Sequence, residues 1–293
     1  MLGAAFFFSL MSLLVKIAGQ RLPVAEIVFA RSTVMLVISF WLVRQLVYAG
    51  TAANRHGENR SIGAPTSMWG HRKSLLVLRG LVGFGALFCF FFAVTRLPLA
   101  DITVIHFTNP VFTAVLASIF LGESMGRREA SGLVLCLVGV ALVAQPSFLF
   151  GAGAKSLDLF AVAVALCASV LSSIAYTLVR KLRETDHHLV VVFYFTLVSA
   201  PASVPLLIGQ WVWPSPVEWL VLLGVGVVTQ IAQICLTKGL HRERAGRAMS
   251  ISYVQVLFAA TWGAVIFGDF PNLMGIGGAL LVFGGTLLVA RHA

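Results

Sequence analysis

Apolar residues run along the chain in ten long blocks separated by short polar stretches: Leu2–Gly19, Val24–Val43, Ser74–Thr95, Ala100–Leu121, Arg128–Gln145, Leu157–Val179, Leu189–Gly209, Val217–Lys238, Gly246–Gly268 and Leu273–Ala290. A helix needs roughly 20 mostly apolar residues to cross the hydrocarbon of a bilayer, and every block comes close to that length. The pattern predicts ten spanning helices. The connections are too short to house a water-soluble domain, so the chain reads as one membrane domain.

Polar residues inside the blocks fall at helical spacing. Helix 4 carries His106, Asn109 and Thr113 at i, i+3 and i+7, which is one stripe of a helix. Helix 9 carries Ser252, Tyr253 and Gln255; helix 6 carries Ser169, Ser172, Ser173 and Tyr176. Helix 8 presents Gln230, Gln233 and Thr237, and helix 1 presents Ser9, Ser12 and Lys16. Helix 3 departs from this pattern with Phe84, Phe88, Phe91 and Phe92, although it holds Arg79. Polar side chains in a membrane helix face the bundle interior or a water-filled path. Helices 1, 4, 6, 8 and 9 are therefore expected to line a central cavity. Helices 5 and 10, almost wholly apolar and rich in glycine, are expected at the periphery. A lone Ser or Thr has another use, which is to bond a backbone carbonyl one turn back. Pro110 adds to the interest of helix 4, because it frees the carbonyl of His106 and weakens the helix there.

Composition narrows the class further. Hydrophobic residues make up 59% of the chain and charged ones 11%, with mean hydropathy +0.94, which no soluble domain of this length matches. The net charge of +10 could suggest nucleic acid. Its location argues against that reading, because the basic residues sit almost entirely in loops, where orientation explains them better. One side collects Arg44, Arg55, Arg60, Arg72, Lys73, Arg127, Arg128, Arg180, Lys181, Arg183, Arg242, Arg244, Arg247 and Arg291; the other has only Arg21, Arg96 and Lys155. The positive-inside rule then puts both termini in the cytoplasm, for a multi-pass protein of a plasma or bacterial inner membrane. Trp211, Trp213 and Trp219 fall at the outer interface. Cys89, Cys136, Cys167 and Cys235 lie inside predicted helices and read as small apolar fillers. The first block has neither a basic leader nor a cleavage-type ending, so it reads as a span rather than a signal peptide. Met1 stands almost inside it, an arrangement expected when a few upstream residues precede the sequence.

The chain can be laid on itself. Displaced by 146 positions (255 − 109), Asn109–Glu123 aligns with Gln255–Asp269, Arg96 with Arg242, Gly132 with Gly278, Gly139 with Gly285, and Leu142–Ala144 with Leu288–Ala290. Nearer the start the displacement is 164 (173 − 9), pairing Ser9 with Ser173, Val15 with Val179 and Phe29 with Phe193; the longer loop Ala49–Lys73 accounts for the difference. Five helices per repeat force opposite orientations on the halves. The expected fold is an all-α membrane protein of ten transmembrane helices in two inverted repeats, residues 1–145 and 157–293, a recurring plan of secondary transporters.

Two arginines lie at depth. Arg31 and Arg79 sit about 8–10 Å inside their helices at about 1.5 Å per residue. An unpaired arginine there costs at least about 2.5 kcal/mol, which snorkelling towards the nearer interface would relieve. Every carboxylate falls in a loop or at a helix end: Glu26, Glu58, Asp101, Glu123, Glu129, Asp158, Glu184, Asp186, Glu218, Glu243 and Asp269. The arginines thus lack a mid-membrane acid, which leaves them for a solute anion. A carboxylate proton relay is missing too, so proton coupling would fall to His106 or the solute. Lys16 and Lys238 lie nearer helix ends, where snorkelling is the simpler account.

These residues carry a resemblance. The runs LPLADITVIHFTNPVFTAVLASIFLGE (Leu97–Glu123) and GLVLCLVGVALVAQP (Gly132–Pro146), with second-half echoes ending in FGD and GGALLVFGGTLLVA, resemble the drug/metabolite transporter superfamily. The likeness is to its EamA-like ten-helix carriers and spans essentially the whole chain. Arg31, the LRG of Leu78–Gly80 and the TKGL of Thr237–Leu240 look most similar to a branch that carries organic anions; amino-acid exporters are a more distant match. The resemblance implies a cavity between the halves and alternating access, on the helices already assigned to the cavity from polarity.

The expected function is non-ATP transport of a small polar metabolite, foremost an organic anion or carboxylate, with export of amino acids or related zwitterions as the alternative. The substrate-binding candidates are Arg31, Arg79, His106, Asn109, Thr113, Tyr176, Gln230, Gln233, Lys238, Tyr253 and Gln255. An ATP-driven pump is disfavoured by the missing G-x-x-x-x-G-K-[ST]. No catalytic constellation points to an enzyme, and His187–His188 reads as a solvated loop pair. Helix count alone leaves a channel or receptor open, and the tandem inverted halves favour a carrier. Expected partners are the small-molecule substrate and the lipid bilayer, with no cofactor and no nucleic acid, in a monomer or weak homodimer.

Overall fold

The computed structural model describes residues 1–55, 68–150, 158–209, 211–268, 270 and 272–290. Glu58, Arg60, Lys155, Asp269 and Arg291 lie outside the described residues. Among the described residues ten helical spans follow in order: α1 (Leu2–Ala18), α2 (Val24–Arg55), α3 (Lys73–Val94), α4 (Leu99–His106, then Asn109–Leu121), α5 (Arg127–Ala144), α6 (Leu159–Leu182), α7 (His188–Ser203), α8 (Pro216–Arg242), α9 (Ala245–Ser252, then Val254–Phe267) and α10 (Leu273–Ala290). Seven of them are long and apolar enough to cross a membrane, while α1 and α10 are apolar but shorter.

The starts and stops have local causes. Asp158 caps α6, its carboxylate accepting from the amides of Phe160 and Ala161. Ser215 and Glu218 form a capping box at α8. Gly122 and Gly268 end α4 and α9 with φ of 66° and 72°, a left-handed conformation that favours glycine. These two glycines are repeat mates. Where the structure departs from the expected spans, breaks and extensions explain it. Helix α2 runs on past Val43 to Arg55, and α7 tightens into a 3-10 turn at Val204–Leu207, after Pro201 inside the helix and with Pro205 in the turn. Both α4 and α9 are interrupted, α4 at Phe107–Thr108 and α9 at Tyr253.

Packing follows the internal symmetry. Helix α3 lies along α6 as α1 lies along α8; α2 meets α8 as α7 meets α3; and α2–α7 and α5–α10 pair across the axis. Renaming each helix five places on maps this set onto itself. The α5–α10 contact is a glycine crossing. A Cβ on Gly132 would stand 3.0 Å from the Gly285 carbonyl oxygen, and one on Gly139 would stand 2.6 Å from that of Gly278. The four glycines are the pairs aligned by the 146-residue displacement. At the same crossing Cys136 donates its thiol to the carbonyl of its mate Val282, 3.6 Å away. The two helices thus pack mainly on each other, flanking α4 and α9.

Candidate functional site

The interruptions of α4 and α9 meet at the centre of the pseudo-two-fold. Tyr253 is fully buried, stacks on Phe107 with ring centroids 5.8 Å apart, and donates its hydroxyl to the Phe107 carbonyl at 2.9 Å. These residues are mates, 146 positions apart. On the other side of the α4 break, the serine face of α6 supplies donors. Thr108 and Ser169 share a hydrogen bond of 2.8 Å, and Ser169 reaches the His106 carbonyl, freed by Pro110, at 3.5 Å. Ser173 donates to the Asn109 carbonyl at 3.0 Å, and Thr113 donates to the same oxygen at 2.7 Å. Ser169 and Tyr253 therefore hold carbonyls at the break, and Ser173 and Thr113 bond the first carbonyl of the helical piece after it, which is the alternative use of such hydroxyls.

Removing one of those donors should be measurable. Tyr253→Phe keeps the stack but removes the donor to the carbonyl of half-buried Phe107, and should destabilise the protein by about 1–3 kcal/mol. A thermal unfolding midpoint in detergent equal to that of the wild type would mean that the hydroxyl holds nothing.

Several predicted site residues remain with unsatisfied atoms. Arg79 is only 3% exposed; its guanidinium carbon stands 4.8 Å from the Phe195 ring centroid, and Tyr176, half-buried, is within electrostatic reach. Among the described residues neither its Nε nor its Nη1 has a hydrogen-bond partner. Nη1 occupies the space that a Cβ on Gly83 would take. Arg31, 8% exposed, has an unpartnered Nε and touches the Met11 sulfur with Nη1 at 4.0 Å. His106 packs on Phe90, with ring centroids 4.7 Å apart; its Nε2 faces the Asn109 amide at 3.4 Å, and its Nδ1 is buried and unpartnered. Gln230 donates to Ser39 at 2.8 Å and leaves Oε1 unmatched; the Oε1 of half-buried Gln233 is likewise unmatched. Gln255 is half-buried. Lys238 is exposed, with His187 and His188 as electrostatic neighbours.

Snorkelling does not account for the arginines. Among the described residues neither is in an ion pair. Glu26 accepts from the Val212 amide with Oε2 at 3.2 Å and keeps a buried Oε1 without a partner, while Asp101 accepts from the amide and hydroxyl of Ser147. Buried donors without acceptors cost free energy that a ligand anion can offset. The surrounding Phe195, Met11 and Gly83 escaped the polarity argument, because nothing in their own positions marks them.

The His187–His188 pair differs from the solvated loop expected. The rings lie 4.0 Å apart, half-buried, with His241 6.4 Å from His188. Burial, then the Lys238 charge, holds His187 below the usual imidazole range. It serves as a neutral N-cap of α7, its Nδ1 accepting from the Leu189 amide at 3.3 Å.

Ten helices, inverted repeats, paired helix breaks and buried polar atoms around them define a multi-pass membrane transporter of the ten-helix carrier type. The chain belongs to the EamA-like transporter family, whose model matches residues 1–145 and 159–291. The pseudopaline exporter CntI of Pseudomonas aeruginosa is 31% identical over 289 residues, covering 98% of this chain and 93% of that protein. Human solute carrier family 35 member G1 is 28% identical, covering 95% and 74%. The S-adenosylmethionine uptake transporter of Rickettsia prowazekii is 25% identical, covering 94% and 85%. A solved crystal structure superposes with a TM-score of 0.81 over 99% of this chain and 95% of its own, at 18% identity, which speaks for the fold alone. The family and these relatives are transporters, and the protein is not an enzyme.

Proposed function

We propose that the protein is a secondary carrier that moves a small carboxylate-bearing metabolite by alternating access. Both termini face the cytoplasm, and the repeats 1–145 and 157–293 form the two halves around the solute. The observation that carries this reading is Arg79, buried with two unpartnered nitrogens, joined by Arg31 with one. A carboxylate is the planar acceptor that a guanidinium matches. Gln230, Gln233, His106, Asn109, Tyr176 and Gln255 would contact the rest of the solute, while Thr113 and Tyr253 would shape its surroundings through the helix breaks. Lys238 would serve at the rim. Relatives named for export and for uptake are consistent with a carrier of either direction.

A ligand that binds the folded state raises its stability with occupancy. Glutarate, glutaramide and glutamate are matched in size and differ in charge. Purified protein should be thermally stabilised by glutarate and not by glutaramide. Equal stabilisation by both would refute the anion reading. Stabilisation by glutamate alone would instead favour a zwitterionic amino acid gripped by the polar stripes of α4 and α9.

A further inference from the structure

The two-fold relation between the repeats fails where the broken helices meet. The second piece of α4 (Asn109–Leu121) packs along the first piece of α9 (Ala245–Ser252), so closely that a Cβ on Gly246 would lie 3.4 Å from the Ala114 Cβ. Their repeat mates are the second piece of α9 and the first piece of α4, which show no comparable packing among the described residues. The mate of Ala114 is Ala260, and the mate of Gly246 is Ala100. One end of the molecule is thus drawn together where its counterpart is apart. For two inverted repeats, exchanging these two contacts exchanges the open face.

An ion pair sits at the closed end. Arg180 of α6, with its side chain 5% exposed, donates Nε to Glu123 Oε1 at 2.6 Å. Its Nη1 donates to the carbonyls of Leu240 and His241, at the end of α8, at 2.9 and 3.1 Å. Glu123, just past the end of α4, uses Oε2 to accept the Ala245 amide at 2.8 Å, at the start of α9. Arg244 reaches across to the Ser124 carbonyl at 3.5 Å. Four segments converge on two side chains: the end of α4, α6, the end of α8 and the start of α9. A carboxylate at the first amides of a helix is favourably placed, and a bidentate-capable arginine ties in two carbonyls left over at a helix end. The links join the parts that must separate for this face to open.

We propose that Glu123 and Arg180 form the latch of this face, positioning residues that set which end of the carrier is open; the idea rests on the transport reading. Their repeat mates are Asp269 and Lys16 (269 − 146 = 123; 180 − 164 = 16), which carry the same charge signs. Asp269 lies outside the described residues.

Disulfide formation between matched cysteine pairs tests this without any solute. In full-length protein in liposomes, with Cys89, Cys136, Cys167 and Cys235 replaced, one variant carries Ala114→Cys with Gly246→Cys. The other carries Ala100→Cys with Ala260→Cys. Disulfides need Cβ atoms about 3.5–4.5 Å apart, so the first pair should oxidise fast and the second slowly. Adding Glu123→Gln should slow the first by about tenfold and speed the second by about the same factor. Arg180→Lys keeps the charge but loses the paired carbonyl contacts, and should give a smaller reciprocal change. A fall at the first pair with no rise at the second would make the ion pair a structural staple and overturn the latch; so would unchanged rates in both variants. Because no solute enters the measurement, the latch can fail while glutarate still stabilises the protein, and the reverse.

Discussion

Arg79→Gln should raise the concentration of glutarate needed for half-maximal stabilisation by about thirtyfold or more, the equivalent of about 2 kcal/mol for truncating one partner of a buried charge pair. Arg79→Lys keeps the charge yet should still lose about tenfold, because an ammonium cannot reproduce the two parallel donors of a guanidinium. The geometry adds a third variant. Nη1 lies over Gly83, one turn along the same helix, and the guanidinium carbon lies 4.8 Å from the Phe195 ring centroid. Gly83→Ala would push the fork off that position without touching its charge, so its affinity should fall as in Arg79→Lys. Apparent affinity, read from stabilisation curves, is the discriminating quantity. If all three variants bind glutarate like the wild type, the buried arginine is not the carboxylate contact.

The architecture was legible because two external constraints act on the sequence. Bilayer thickness fixes how long an apolar block must be, and the charge of loops marks where blocks end. The 146-residue displacement, read from letters alone, recurs in space as the Tyr253–Phe107 hydrogen bond and as the glycine pairs of α5 and α10. The break in α4 had a signal in Pro110. The break in α9 had none, since Val256 stands where Pro110 would be, and its interruption at Tyr253 belongs with packing against Phe107.

Site chemistry was only partly legible. Polarity finds a face but not what each group on it does. Thr113 and Ser173 both spend their hydroxyls on the Asn109 carbonyl, whereas Arg79 and Gln233 keep atoms unmatched. Those outcomes depend on which backbone groups the neighbouring helix leaves free, and no periodicity encodes that. Glu123 and Arg180 were read as loop charges because counting charges for orientation treats each one singly. Their pairing is visible only in the fold, and the repeat alignment then finds the same charge signs at Asp269 and Lys16.

The α5–α10 crossing gives the largest expected effect on stability, with opposite signs for glycines on and off the contact. Gly139→Leu would drive a Cβ to within 2.6 Å of the Gly278 oxygen and 2.8 Å of the Val282 side chain. Backbone lies on the far side, so neither neighbour can turn away as a flexible side chain would. Overpacking typically costs about 1–3 kcal/mol, and a clash with a carbonyl on the pseudo-two-fold belongs at the upper end or beyond. A Cβ placed on Gly277 or Gly284 of α10 would have nothing within 4 Å, so Gly277→Ala and Gly284→Ala meet open space. There the substitution removes only the flexibility of glycine in the unfolded chain, and should stabilise by about 0.4–1 kcal/mol. The readout is the monodisperse fraction surviving a heating series in gel filtration. Gly139→Leu should lose most of that fraction at temperatures where Gly284→Ala retains at least as much as the wild type. Equal survival of the two would mean that the helices do not cross at these glycines, and the repeat alignment that pairs Gly132 with Gly278 and Gly139 with Gly285 would lose its structural meaning.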